Sequence, residues 1–512
     1  MVEPVSFPAR VAVACLLAGL VAGAGLLSVP AAADPGADPG SGEPDPARTV
    51  ARADRILDGD AGATGDGRVD ATLALRDVFV ARPTMGFVAS LWADVLLARP
   101  TDGRADPGGD GYTRPAVRRC SQRFCVHFVK RGADAPASTA WVRRTLRVLE
   151  EVWRLEVREL GYRRPPADGR RGGDRRFDVY LADLGSRGIF GYCTPERRVR
   201  GERFAASSYC VLDNDFARRQ YGAGPRRSLR VTAAHEFFHA IQFGYDFRED
   251  PWLLESTATW VEERFADGAD DNRRYLPYGT VRRPGIPLDR FSNLSYAHYG
   301  NWAFWEFLAR RHGDDVVRAV WRRADTVGDA PDEYSVQALA RVLQGRGGIR
   351  RALAAYAVAN LDPARSYPEG AHWPAARVRR PADFDRGRPR ARRSSRTVSV
   401  DHLAAQHLAY HPSGRGPARL RIAVDGPGRR STVRVVVERT DGGSTVRTVR
   451  RDARGRGTVR VAFSAGAVDR VVVTLVNHSS RYQCGRRTGF ACGGVPRDDD
   501  KGFRVDVEVL PG

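Results

Sequence analysis

The stretch Ser228 to Gly244, SLRVTAAHEFFHAIQFG, constrains this chain more than any other. Leu229, Val231, Ala234, Phe237, Phe238, Ile241 and Phe243 surround it almost completely, which predicts a helix buried on all sides and closed by Gly244 as a left-handed cap. Inside it lies HEFFH, His235 to His239. Histidines four apart stack on one helical face about one turn from each other, a spacing that suits two imidazoles gripping one ion. A zinc ion held by two neutral imidazoles and one further protein ligand keeps a position for water and lowers that water's pKa from about 15.7 to roughly 7. Glu236, beside the first histidine, is then placed to take the water's proton and return it to a leaving amine.

The next segment, YDFREDPWLLESTATWVEERF, offers the third ligand. Asp250 is a good N-cap and Pro251 a natural first helical residue, so a second helix is expected from there to about Phe265. A short turn makes the two helices antiparallel and brings Glu255 back towards the histidines. Glu262 shares the face of Glu255 but lies two turns farther from the turn, so Glu262 and Glu263 read as the solvated end of the helix and Asp246 as a turn residue. The expected metal set is therefore His235, His239 and Glu255 around Zn2+.

At 512 residues the chain is long enough for two or three domains. Arg10, an apolar run from Val11 to Val29 and the triplet Ala31, Ala32, Ala33 read as a secretory signal over residues 1–33, with no membrane anchor left after cleavage. The mature chain then keeps Cys120, Cys125, Cys193, Cys210, Cys484 and Cys492, an even set that implies disulfides in an exported protein. Fifteen pairings are possible, and closeness in sequence favours 120 with 125, 193 with 210 and 484 with 492. The net charge of +21 comes almost wholly from scattered arginine, Lys130 and Lys501 being the only lysines, so no specific nucleic-acid partner is expected and at most a weak contact with acidic cell-wall polymers.

The rest of the chain falls into four parts. Residues 34–110 combine a disordered spacer up to about Pro46 with two amphipathic stretches, RVDATLALRDVFVA and FVASLWADVLLA, a helical pro-segment or N-terminal subdomain. Residues 111–362 alternate strands and helices; His127 reads as an ordinary strand residue, and the strand at 207–212 is the expected sheet edge for an extended peptide. Residues 363–396, rich in Pro and Arg, read as a linker, and 397–512 as an all-β sandwich that binds or merely stabilises. The fold class expected is α+β.

HEFFHAIQFGYD followed by WLLESTATWVEE resembles the zincin metallopeptidases of the gluzincin type, and more narrowly a group of secreted bacterial metalloproteases that carry HEFFHAIQ with a LDND strand just upstream. The resemblance covers roughly residues 110 to 325 and implies a zincin-like catalytic domain acting on peptides or proteins. Two departures stand out: only fifteen residues separate His239 from Glu255, and Ser256 stands where glycine is common. The resemblance also implies a tyrosine or histidine that hydrogen-bonds the oxyanion, for which Tyr299 is the candidate, with His298 and Tyr296 behind it. The expectation is a secreted zinc metalloendopeptidase with Glu236 as general base; the alternative is a non-catalytic surface binding protein on the same fold.

Overall fold

The computed structural model describes residues 45–59, 70–102, 111–383, 392–414 and 416–512. The expected leader, and the spacer up to residue 44, lie outside the described residues. Three helices come first, α1 (Pro46–Leu57), α2 (Ala71–Ala81) and α3 (Phe87–Leu96). The Asp45 side chain caps α1 through the Ala47 amide, and Asp70 caps α2 through the Leu73 amide. Apolar on most of its circumference, α2 packs on two sides. Ala74, Leu75 and Val78 join a small N-terminal core with α1 and α3, while Leu73 and Phe79 enter the main core.

A five-stranded sheet follows. Its members are β1 (Ala116–Cys120), β2 (Phe124–Val129), β3 (Phe177–Ala182), β4 (Gly191–Arg198) and β5 (Ala206–Asp213), in the order β1-β2-β3-β5-β4. The β2, β3 and β5 strands run parallel, and β1 and β4 close the two edges antiparallel. The expected edge strand at 207–212 is thus an interior strand, buried along its whole length, and β4 is the edge beside it. The reason is the β4–β5 hairpin, which folds back on the outside and is stapled across facing positions by the Cys193–Cys210 disulfide. His127 is a strand residue, bonded to Asp178 at 2.7 Å and stacked on Tyr180. Between β2 and β3 runs α4 (Thr139–Trp153), continued by a π-helical stretch Arg154–Glu159.

Two long helices lie against this sheet, α5 (Pro225–Asp246) and α6 (Pro251–Ala266). Gly244 does not cap α5; the helix runs through it, and the missing side chain makes room for Pro166, whose Cδ would stand 2.7 Å from a Cβ there. Asp250 begins α6 without capping it, because its carboxylate accepts instead from Ser335 and from the Cys492 amide. A helical layer follows, α7 (Ala297–Gly300), α8 (Trp302–His312), α9 (Asp315–Ala324), α10 (Ser335–Gln344) and α11 (Gly348–Ala359). Trp252, Trp260, Trp302, Trp305 and Trp321, all fully buried, fill the space between these helices.

Residues 363–383, expected as a linker, carry a helical turn at Pro363–Ser366 and a strand β6 (Arg379–Asp383) that pairs with the C-terminal sheet. That region is β-rich, with β7 (Arg393–Val400), β8 (Ala404–His411), β9 (Ala418–Asp425), β10 (Ser431–Arg439), β11 (Ser444–Thr448), β12 (Gly457–Ala462), β13 (Val468–Asn477), a short pair β14 (Tyr482–Gln483) and β15 (Val495–Pro496), and β16 (Lys501–Pro511). The sheets β11-β10-β13-β8-β6 and β12-β9-β16-β7 share one apolar core built from alternating residues such as Val433, Val435, Val471, Val473, Val505 and Val507. The molecule is a mixed α+β protein with a β-rich C-terminal region. Disulfides join Cys120 to Cys125, Cys193 to Cys210 and Cys484 to Cys492, and no helix among the described residues is long and apolar enough to cross a membrane.

Candidate metal centre

Antiparallel packing of α5 on α6 sets the site. Apolar side chains all round α5 force both of its histidines inward, and the short turn after Asp246 lays α6 directly across them. The Glu255 carboxylate then faces both imidazoles: Oε2 lies 3.3 Å from Nε2 of His235, and Oε1 lies 3.5 Å from Nε2 of His239. Tetrahedral ligands bound at about 2.0 to 2.1 Å stand about 3.3 to 3.4 Å apart, so the spacing matches a single small cation between them.

The chemistry of the donors fits as well. Nε2 of His239 and both carboxylate oxygens of Glu255 are buried without a hydrogen-bond partner among the described residues. A lone pair facing a carboxylate in a dry site is costly unless positive charge stands between them. Burial drives the His239 imidazole down to about 3, so it is neutral and its Nε2 is a ready ligand. At His235, burial works in the same direction, but Glu255 and Glu262 outweigh it and favour positive charge there, which a proton or a cation can supply.

The other face of each imidazole is also fixed. Nδ1 of His235 is 2.6 Å from Oε1 of Glu262, and Nδ1 of His239 is 2.7 Å from Oε1 of Gln242. These acceptors hold the proton on Nδ1 and leave Nε2 for a metal. Gln242 is itself held, donating to the Leu254 carbonyl and to Thr257. Glu262 is therefore no part of a solvated helix end: it is buried, because His235 draws it in. Glu263, expected at the same solvated end, is buried too and accepts from Asn272, and Asp246 accepts from the Arg248 amide at the end of α5.

Glu236 projects beside the ligand set into a cavity of about 90 Å³ whose lining includes His235, Tyr299, Asp70 and Ala71. Burial pushes its carboxyl up to about 7, and its Oε2 accepts from the Thr72 hydroxyl at 3.0 Å. A cation nearby draws such a carboxyl back towards the ionised form that a base needs. Tyr299 lines the same cavity, its ring stacked on Tyr275 and 6.1 Å from that of His235. Its hydroxyl donates to Asp70 at 3.0 Å. His298 is instead buried against Phe291, and Tyr296 packs on Tyr275 and Tyr278.

The structure thus brings His235, Glu236, His239, Glu255 and Tyr299 together. Sequence reasoning missed four neighbours: Gln242, Glu262, Asp70 and Thr72. Gln242 carried a signal, since three positions after His239 is the same helical face. Asp70 and Thr72 carried none, because nothing local to α2 points to a motif more than 160 positions away.

No family model matches the sequence, and no curated protein is similar to it. Among solved structures, the periplasmic g-type lysozyme inhibitor PliG of Aeromonas hydrophila is 9% identical, matching 26% of this chain and 98% of its own with a TM-score of 0.17. PliG of Salmonella Typhimurium is 7% identical, with coverage of 26% and 98% and a TM-score of 0.15. BtGH115A, a family GH115 4-O-methyl-alpha-glucuronidase, is 8% identical over 56% of this chain and 38% of its own, with a TM-score of 0.15. Likenesses of this size inform neither fold nor function.

Proposed function

We propose that this chain is a secreted zinc-dependent peptidase of the gluzincin type, cutting peptide bonds in peptide or protein substrates. The observation that carries the reading is the convergence of His235, His239 and Glu255, whose facing atoms lie 3.3 and 3.5 Å apart, are largely buried and include three without a hydrogen-bond partner among the described residues. Zinc held by those three residues supplies a Lewis acid that acidifies water and polarises a carbonyl. Gln242 and Glu262 keep the imidazoles oriented for that work. Glu236 takes a proton from the attacking water and passes it to the departing amine, and its dry setting keeps its basicity near neutral pH. Tyr299, once its hydroxyl is free of Asp70, donates to the oxyanion of the cleaved bond. The leader-like N-terminus and the three cystines support export.

Metal analysis and hydrolysis of an unfolded protein substrate test this reading together. One zinc per chain is expected in the native protein and in Glu236→Gln, with the metal lost in Glu255→Ala. Glu236→Gln should lower the hydrolysis shown by the native chain by about a hundredfold or more. A native chain that binds no stoichiometric metal, or a Glu236→Gln variant as active as the native protein, refutes the assignment.

A further inference from the structure

The N-terminus of α2 engages the two groups to which the peptidase reading gives proton and oxyanion roles, Glu236 and Tyr299. The Asp70 carboxylate, besides capping its own helix, accepts from Tyr299 at 3.0 Å. Thr72 donates to Glu236 at 3.0 Å and accepts from the Cys193 amide of β4 at 3.1 Å. The base, the oxyanion donor and the edge strand of the sheet are therefore all engaged by one short piece of the chain. A scissile carbonyl has to sit between the metal and the oxyanion donor, and an extended peptide pairs with a sheet edge through backbone amides such as that of Cys193. What is left is the cavity of about 90 Å³, enough for a few waters and too small for a peptide.

These contacts differ in kind from that of Gln242. It holds its imidazole from behind, through Nδ1 and away from the cavity, whereas Asp70 and Ala71 line the cavity itself, across from His235 and its partner Glu262. A merely supporting segment has no reason to fill the reacting side. We infer that the N-terminus of α2 is an internal plug: the chain rests in a latent form, with Asp70 and Thr72 standing where a substrate peptide binds, and substrate enters only when this turn is displaced. The inference rests on the peptidase reading and adds its regulation.

The test uses the full-length chain loaded with Co2+, whose visible absorption reports ligation, titrated with an N-acetyl dipeptide hydroxamate. Asp70→Asn retains a good N-cap residue and Thr72→Val retains shape, so the double variant loosens the plug while sparing the helix. Cobalt content should be equal in the native and variant chains. The variant should bind the hydroxamate about tenfold or more tightly, since a mostly closed site lowers apparent affinity by its open fraction. In the native chain, saturating hydroxamate should speed amide exchange over residues 71–81. Equal hydroxamate affinity in the two loaded chains, or unchanged exchange over 71–81 at saturation, overturns the plug and leaves the metal centre standing. A native chain that takes up no cobalt overturns the peptidase reading instead. If the variant does not fold, the exchange measurement on the native chain decides.

Discussion

As proposed ligands, His235 and His239 depend on other side chains to settle which nitrogen keeps its proton. Gln242 does this for His239 from three residues along the same helix, and is itself held at its other end by Leu254 and Thr257. Gln242→Leu removes the acceptor while keeping most of the volume, and should weaken metal affinity about 10- to 100-fold by chelator competition. Glu236→Gln, which removes no ligand, should leave that affinity nearly unchanged. This part of the site was legible in the sequence because helical geometry is local: residues three and four apart share a face whatever the rest of the chain does. Glu255 could be inferred too, from a short turn that leaves an antiparallel neighbour few alternatives. Glu262 was placed wrongly, since a glutamate near the end of a helix faces water unless a buried imidazole recruits it.

The N-terminal helices are tied to the sheet just after α3 by Arg99. Its guanidinium is almost wholly buried and meets Asp168 at 2.6 Å, Asp178 at 2.7 Å and Glu196 at 2.6 Å. Removing the cation strands Asp168 and leaves Asp178 and Glu196 with only His127 and Arg171 in a dry setting, so Arg99→Met should cost about 3 to 5 kcal/mol in urea-induced unfolding, far more than an exposed arginine. Elements such as α2 and α3 were readable as amphipathic helices, but their destination was not. Periodicity reports which face of an element is buried and says nothing of its neighbour. The same limit explains the edge strand: β5 follows β4 in sequence and lies inside it in space, a matter of hairpin placement that no local pattern encodes.

Between the half that holds the candidate metal centre and the β-rich region the seam is partly electrostatic. His402, just before β8, is buried between Asp289, 2.8 Å from Nε2, and Asp499, on the Nδ1 side, with the Tyr482 hydroxyl also on Asp289. Burial alone lowers its pKa, but the two aspartates raise it to about 9. A histidine raised from its ordinary value of about 6.5 contributes stability that is fully present below that pH and is lost as pH climbs through 9. Up to about 3 kcal/mol should disappear over that window, visible as a falling denaturation midpoint. His402→Gln should flatten the dependence; an unchanged slope would place the titrating group elsewhere.

Covering β4 with α2 has a consequence beyond the latency proposed above. Sheet edges left bare are templates on which other chains assemble. Whatever lifts the helix to admit a peptide also uncovers a hydrogen-bonding rim that a second molecule of the same protein can join. The awakened form should therefore be the one that clusters at high concentration, and the sleeping form the one that stores well.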